Sequence, residues 1–173
     1  MVRVSSQPRS RWRSAAPARP EWRDILLGFL GGTLGIGALA WLALQSSVPL
    51  LIASFGASCV LLFAAHNAPL AQPRNVIGGH VLTTFIGLAA INLLGDSLWV
   101  CALATGLGIA AMQALRVVHP PAGGNPLMIT LAGMHSWTFL VTPVLAGAVI
   151  LVVIAWLLHR LRRHPVRWPV YWY

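Results

Sequence analysis

The sequence predicts an all-α fold, a polytopic transmembrane helical bundle of five to six membrane segments, one of them a short or broken helix. Three observations carry this. Hydrophobic residues make up 57% of the chain and charged residues 9%, with a mean hydropathy of +0.74, whereas a soluble domain carries about 25% charged residues. Apolar runs recur at the length, about 20 residues, that lets a helix cross roughly 30 Å of hydrocarbon. The arginines also gather at the two ends: Arg3, Arg9, Arg11, Arg13, Arg19 and Arg23 precede the first apolar run, and Arg160, Arg162, Arg163 and Arg167 follow the last. Basic flanks around apolar spans are the positive-inside pattern, and they suit contact with anionic headgroups. The net charge of +9 therefore points to a lipid bilayer as partner and not to nucleic acid.

Residues 1–24, rich in Arg, Ser and Pro, are expected to be a disordered basic cytoplasmic tail. The apolar run from Ile25 lacks a small-residue cleavage site and reads as a retained helix, not a cleaved signal. Within it, Gly28-x-x-x-Gly32 and Gly31-x-x-x-Gly35 allow close helix approach, inside the chain or between copies of a homo-oligomer. Pro49 suits the first turn of a second helix that runs to Ala65. The polar stretch His66 to Asn75 contains Pro69 and Pro73, and a third span follows from Val76 to Leu94. Gly95-Asp96-Ser97 is a turn, and the fourth span runs from Leu98 to Val118. Then come His119-Pro120-Pro121-Ala122-Gly123-Gly124-Asn125-Pro126, a short apolar stretch to Met134, the interruption His135-Ser136-Trp137, and a last span ending near Leu158. Residues 161–173 form a basic and aromatic C-terminal tail. Trp41, Trp99, Trp137 and Trp156 fall near span ends, as in an interfacial aromatic belt.

Six crossings put both basic ends on one side; five put them on opposite sides. Six requires residues 120–134 to cross as a broken helix, and a re-entrant half-helix is the alternative. An internal similarity favours six. Leu34-Gly35-Ile36-Gly37-Ala38 resembles Leu107-Gly108-Ile109-Ala110-Ala111, and Pro49-Leu50-Leu51-Ile52 resembles Pro126-Leu127-Met128-Ile129. Two units of three crossings are necessarily inverted, a transporter architecture.

Polar residues between the spans are few, and intramembrane polar groups are costly and mark function. Arg74 and Asn75, with His80 beyond them, form one cluster. Asn75 is expected to cap the third helix, with Arg74 beside its positive end, or the stretch is simply a loop with a positive-inside arginine. Arg116, His119 and the loop through Gly123, Gly124 and Asn125 form a second. There the glycines permit positive φ, and His119 can donate a hydrogen bond or relay a proton. Ser54, Gly56 and Ser58 would line a passage or pack as small residues. Catalytic patterns are missing: Asp96 is the one carboxylate beyond the N-terminal region, and no paired acids, phosphate loop or zinc motif is present. The chain is read as no enzyme, with no metal and no cofactor. Cys59 and Cys101 are read as small packing residues.

With these residues in view, the chain resembles the HPP family of integral membrane proteins. The likeness rests on Ser54-Phe55-Gly56-Ala57-Ser58, on Pro69-Leu70-Ala71-Gln72-Pro73-Arg74-Asn75 with Gly79-His80, and on His119-Pro120-Pro121-Ala122-Gly123, and spans about residues 25–160. It implies a compact transmembrane domain over those residues, with chloroplast and cyanobacterial relatives linked to nitrite transport. The expectation is transport of a small inorganic anion, nitrite first, through a site at broken-helix loops built from Ser54, Gly56, Ser58, Arg74, Asn75, His80, Arg116, His119, Gly123, Gly124 and Asn125. The chain would reside in a bacterial inner membrane with both ends cytoplasmic. A channel for a small neutral or weakly acidic solute, and a non-transporting accessory subunit, are the competing readings.

Overall fold

The computed structural model describes residues 18–46, 50–161 and 167–172; most of the N-terminal tail, residues 1–17, lies outside them. The described elements are helical: α1 (Trp22–Ser46), α2 (Ala53–Cys59) prolonged by a π-turn (Val60–Ala64), a 3-10 turn (Pro69–Ala71), α3 (Pro73–Leu94), α4 (Leu98–Ala114), a 3-10 turn (Pro120–Gly124), α5 (Asn125–Leu131), and a π-turn (Leu140–Leu145) that runs into α6 (Ala146–Arg160). Among the described residues three helices have the length and hydropathy to cross a bilayer: Trp22–Gln45, Pro73–Leu94 and Leu140–Arg160.

The short helices explain the ambiguous count. Seven-residue α5 and seven-residue α2 with its five-residue π-turn are too short to span alone. Each is preceded by backbone that is not α-helical: Leu50 and Ile52, both buried, lead into α2, and Val117 to His119 with the 3-10 turn Pro120–Gly124 lead into α5. Irregular backbone at this depth is tolerated only where protein surrounds it. The arrangement fits five to six membrane segments, with α2 and α5 each a short helix preceded by irregular backbone.

Contacts fix the direction of each segment. The start of α1 borders the end of α2, where Asp24, Ile25 and Gly28 line a cavity with Phe63, Ala64 and His66. His159, near the end of α6, bonds the Leu62 carbonyl at 2.9 Å. Arg74, at the start of α3, donates to the Leu115 carbonyl beyond α4 at 3.0 Å. At the opposite face, Asn92 near the end of α3 donates to the His135 carbonyl at 3.0 Å. So α2 runs from mid-bundle to the Arg74 face, and α5 from mid-bundle to the Asp96 face. The order helix, broken segment, helix occurs twice, with the broken segments antiparallel and 17-residue α4 shorter than its counterpart α1. The matched stretches Leu34–Ala38 and Leu107–Ala111 fall on the corresponding helices α1 and α4. The second match is out of register, because Leu50–Ile52 precede α2 whereas Pro126–Ile129 lie inside α5.

The apolar core lies between α1, α2 and α6, around Leu39, Phe55, Leu62, Ala148, Leu151 and Ala155, and continues to Leu88, Ile91 and Ile129. The outward face is apolar too: Phe29, Trp41, Phe85, Trp99, Leu103 and Val153 are all exposed, as lipid-facing positions would be. Gly31 and Gly35 seat Phe63 and Leu151 against α1, while among the described residues a side-chain carbon added at Gly28 or Gly32 would meet nothing within 4 Å.

Both tail boundaries move. The first helix starts at Trp22, inside the expected tail of residues 1–24. At the other end, residues 167–172 return to the bundle: Trp168 is buried, the Val170 amide donates to Gln72 Oε1 at 2.8 Å, and the Tyr171 hydroxyl bonds the Pro69 carbonyl at 2.7 Å. Residues 162–166 and 173 of that tail lie outside the described set.

Candidate functional site

The polar site is built where the two broken segments meet α3. His80 and Thr84 lie roughly 10 and 16 Å along α3 at a rise of about 1.5 Å per residue, close to the middle of its 22 residues. The first turn of α2 presents Ser54 and its next turn Ser58. The first residue of α5 presents Asn125, and the extended approach to it presents His119. Glycine at 79 lets that approach lie on α3, since a side-chain carbon there would stand 2.8 Å from His119 Cβ and 3.1 Å from the Val117 carbonyl.

One hydrogen-bonded chain joins these residues. Ser54 Oγ donates to Asn125 Oδ1 at 2.8 Å. Asn125 Nδ2 lies 2.9 Å from Thr84 Oγ1, 3.1 Å from His80 Nδ1 and 3.3 Å from both Thr83 Oγ1 and the His80 carbonyl. Ser58 Oγ bridges the two imidazoles, 2.8 Å from His80 Nε2 and 2.9 Å from His119 Nε2, and is 3.0 Å from the Ser54 carbonyl. His119 Nδ1 reaches the Leu70 carbonyl at 2.8 Å. Ser58, His80, Thr83, Thr84, His119 and Asn125 are all fully buried.

One-way groups at the two ends determine where each proton sits. The Leu70 carbonyl can only accept, so His119 carries its proton on Nδ1 and leaves Nε2 bare. The Asn125 amide nitrogen can only donate, so His80 Nδ1 is bare and Nε2 carries the proton. His80 Nε2–H therefore donates to Ser58 Oγ, and the Ser58 hydroxyl donates to His119 Nε2. Both imidazoles are neutral in this arrangement; the single Ser58 proton, given to His119, leaves the Ser54 carbonyl without it, and the two Asn125 amide protons are shared among four acceptors.

Beside the chain, at the Arg74 face, a cavity of about 340 Å³ is lined by Leu70, Arg74, Asn75, Arg116, Val118 and Tyr171. Its wall is tied directly to the buried residues. Leu70 carries the carbonyl that binds His119, and Asn75 Nδ2 donates to the Val118 carbonyl at 2.8 Å. Arg116 stands at the end of α4, closed by bonds from Val117 N to the Met112 carbonyl (2.9 Å) and from Arg116 N to the Gln113 carbonyl (3.1 Å). This Schellman arrangement demands a left-handed residue, usually glycine, yet Arg116 fills it at φ 58°.

The structure thus brings Ser54, Ser58, His80, His119 and Asn125 into one network, with Arg74, Asn75 and Arg116 at the adjoining cavity. It leaves three expected residues out. Gly56 is exposed on the outer side of α2. Gly123 and Gly124 are not at positive φ; Gly124 has φ −79°, and a carbon added at either meets nothing within 4 Å. They form a 3-10 turn that completes the extended half. Asn75 is not the cap of α3: Gln72 holds that position without a side-chain cap bond, and Asn75 serves the Val118 carbonyl and accepts from Tyr171 at 2.8 Å.

Thr83 and Thr84 went unread, although they sit three and four residues after His80, the spacing that shares a helix face. Gln72 is fully buried and braces the turn through the His66 and Ala68 carbonyls. Tyr171 joins from the far end of the chain and has no local signal. Among the described residues no three of His, Cys, Asp and Glu converge as metal ligands would.

Comparison with known proteins agrees that the chain is a membrane protein. The model of the HPP transmembrane region matches residues 17–168. A transmembrane protein of Dictyostelium discoideum is 33% identical over 168 residues, covering 91% of this chain and 59% of its own length. A second transmembrane protein of that organism is 30% identical over 176 residues, covering 94% of this chain and 56% of its own. The chain therefore spans under two thirds of the length of these relatives. No solved structure matches. The chain is an integral membrane protein, and it belongs to the HPP transmembrane family.

Proposed function

We propose that this chain transports a small inorganic anion, nitrite foremost, across a bacterial inner membrane with both ends cytoplasmic. The observation that carries the reading is the junction of Arg74 and Arg116 on one cavity whose wall is bonded straight to the buried His119. Paired guanidinium groups with no carboxylate among the cavity's lining residues concentrate anions by their field. Behind them the Ser54, Ser58, His80, Asn125 chain, bonded within itself, lies where the broken helices meet, the place where transporters of inverted-repeat design bind solute. No bond-breaking chemistry is assigned to these residues; the partners are lipid and the anion.

The test is uptake of nitrite by the full chain reconstituted in liposomes. Saturable uptake is expected, and Arg74→Gln with Arg116→Gln together should lower it by at least about tenfold, the scale of electrostatic steering. Unchanged uptake in a folded double variant removes the arginine cavity from the pathway.

A second reading has its own support. No fixed charge enters the central chain, whose members are hydroxyl, amide and imidazole groups. A channel for a neutral or weakly acidic solute would use such a path. Flux that never saturates and ignores both arginines would favour it.

A further inference from the structure

The buried chain has a direction, and the direction carries a consequence for transport. Resting on the anion-transport reading above, we propose that His80, Ser58 and His119 form a proton relay polarised toward the Arg74–Arg116 cavity, so that each anion crosses together with one proton.

The bridging geometry supports it. Ser58 Oγ lies within 2.9 Å of both imidazole Nε2 atoms, so a proton can pass between the rings without either moving. The resting donors all point one way, from Asn125 to His80, to Ser58, to His119, to the Leu70 carbonyl. A proton arriving from the Asp96 side binds the bare His80 Nδ1 as the Asn125 amide keeps one hydrogen on Thr84 and turns the other from His80 to Thr83. His80 then passes its Nε2 proton to Ser58 Oγ. Ser58 passes its hydroxyl proton to His119 Nε2, and His119 releases its Nδ1 proton past Leu70 into the cavity. One proton enters, one leaves, and no heavy-atom bond changes. Afterwards both rings hold the opposite tautomer, and a bare His119 Nδ1 faces the Leu70 carbonyl. That repulsion forces the rings to reset before another proton follows.

The surroundings supply the need. Around the two imidazoles, α2 presents Ser54, Phe55 and Ser58, α3 presents Gly79, Thr83 and Thr84, α4 presents Met112, and α5 presents Asn125. None carries a charge. Arg74 and Arg116 stand beyond Leu70 in the cavity. The Cys59 thiol faces Gly35 of α1 instead, Cys101 is buried on α4, and His66 stacks on His159 at the far end of α2. A bare anion at this depth meets no counter-charge, and burying it unpaired is costly. Accompaniment by a proton removes that cost.

The experiment measures both species at once. Liposomes holding the full chain and an entrapped pH dye receive a nitrite gradient. The expected result is internal acidification in step with nitrite entry, and a fall of at least about tenfold in proton movement for Ser58→Ala, the scale of a lost general acid–base partner. Nitrite entry without protons, or proton movement unaltered by Ser58→Ala, overturns the relay alone. Absence of nitrite entry in the wild type overturns the transport reading instead. A second measurement needs no variant: nitrogen NMR of labelled histidines in bilayers should find His80 protonated on Nε2 and His119 on Nδ1. The opposite tautomer on either ring refutes the relay whatever the flux.

Discussion

Replacing Asn125 with leucine tests the centre of the site most sharply. The two side chains share one branched heavy-atom skeleton, so the change removes hydrogen bonds without opening a cavity. Asn125 satisfies Ser54 Oγ at 2.8 Å, Thr84 Oγ1 at 2.9 Å and His80 Nδ1 at 3.1 Å. Thr84 can turn its hydroxyl to a carbonyl of the preceding helical turn, which leaves the imidazole nitrogen and the serine without partners. A buried polar group left unsatisfied costs about 1–3 kcal/mol, and side-chain hydrogen bonds between membrane helices sit near the low end of that range, about 0.6–1.7 kcal/mol. Asn125→Leu should therefore destabilise the bundle by about 2–3 kcal/mol. Equilibrium unfolding in mixed detergent–SDS micelles reads this directly. Adding Ser54→Ala removes one of the orphans, so the double variant should lose less than the sum of the singles by at least about 0.5 kcal/mol. A loss below about 0.5 kcal/mol for Asn125→Leu, or strict additivity with Ser54→Ala, would refute the idea that this asparagine ties the two broken segments together.

Three further outcomes are expected. Gly79→Ala should cost about 1–3 kcal/mol by forcing His119 off α3, whereas Gly123→Ala and Gly124→Ala should each stay within about 0.5 kcal/mol, all read by the same unfolding assay. Arg116→Gly should raise stability by about 0.5–1 kcal/mol by relieving the left-handed arginine while lowering nitrite uptake, a trade that unfolding and flux measurements together detect. Tyr171→Phe removes the hydroxyl bonds to Pro69 and Asn75, so the Val170 amide should exchange its hydrogen faster in deuterated buffer than in the wild type.

Much of this was legible from residues alone, because the signals were local. Lengths of apolar sequence mark α1, α3 and α6, and proline with glycine marks the break before α5. The second segment was harder. Leu50, Leu51 and Ile52 are as apolar as any helix, and nothing in their side chains says that their backbone is extended. Gly123 and Gly124 looked like special-φ positions by residue type, but the turn they form uses ordinary dihedrals. Asn75 looked like a cap by its chemistry, yet Pro73 had already set the start of α3 two residues earlier. The convergence of Ser58, His80 and His119 was invisible to spacing, since each comes from a different segment. Tyr171 and Trp168 were hidden more deeply, because only the folded bundle brings the chain's end back onto its first turns.

The antiparallel half-helices have a consequence for how the protein is made. Seven residues of α5 cannot hold themselves in hydrocarbon, and the extended backbone ahead of them would meet lipid with its polar groups bare. Neither can enter the bilayer as an independent unit. The helices that α5 packs against, α3 and α4, precede it in the chain, so the grooves that receive it are made before it emerges. Biogenesis of this small protein is then a docking reaction in which late-arriving pieces are accepted by a frame of long helices already in place.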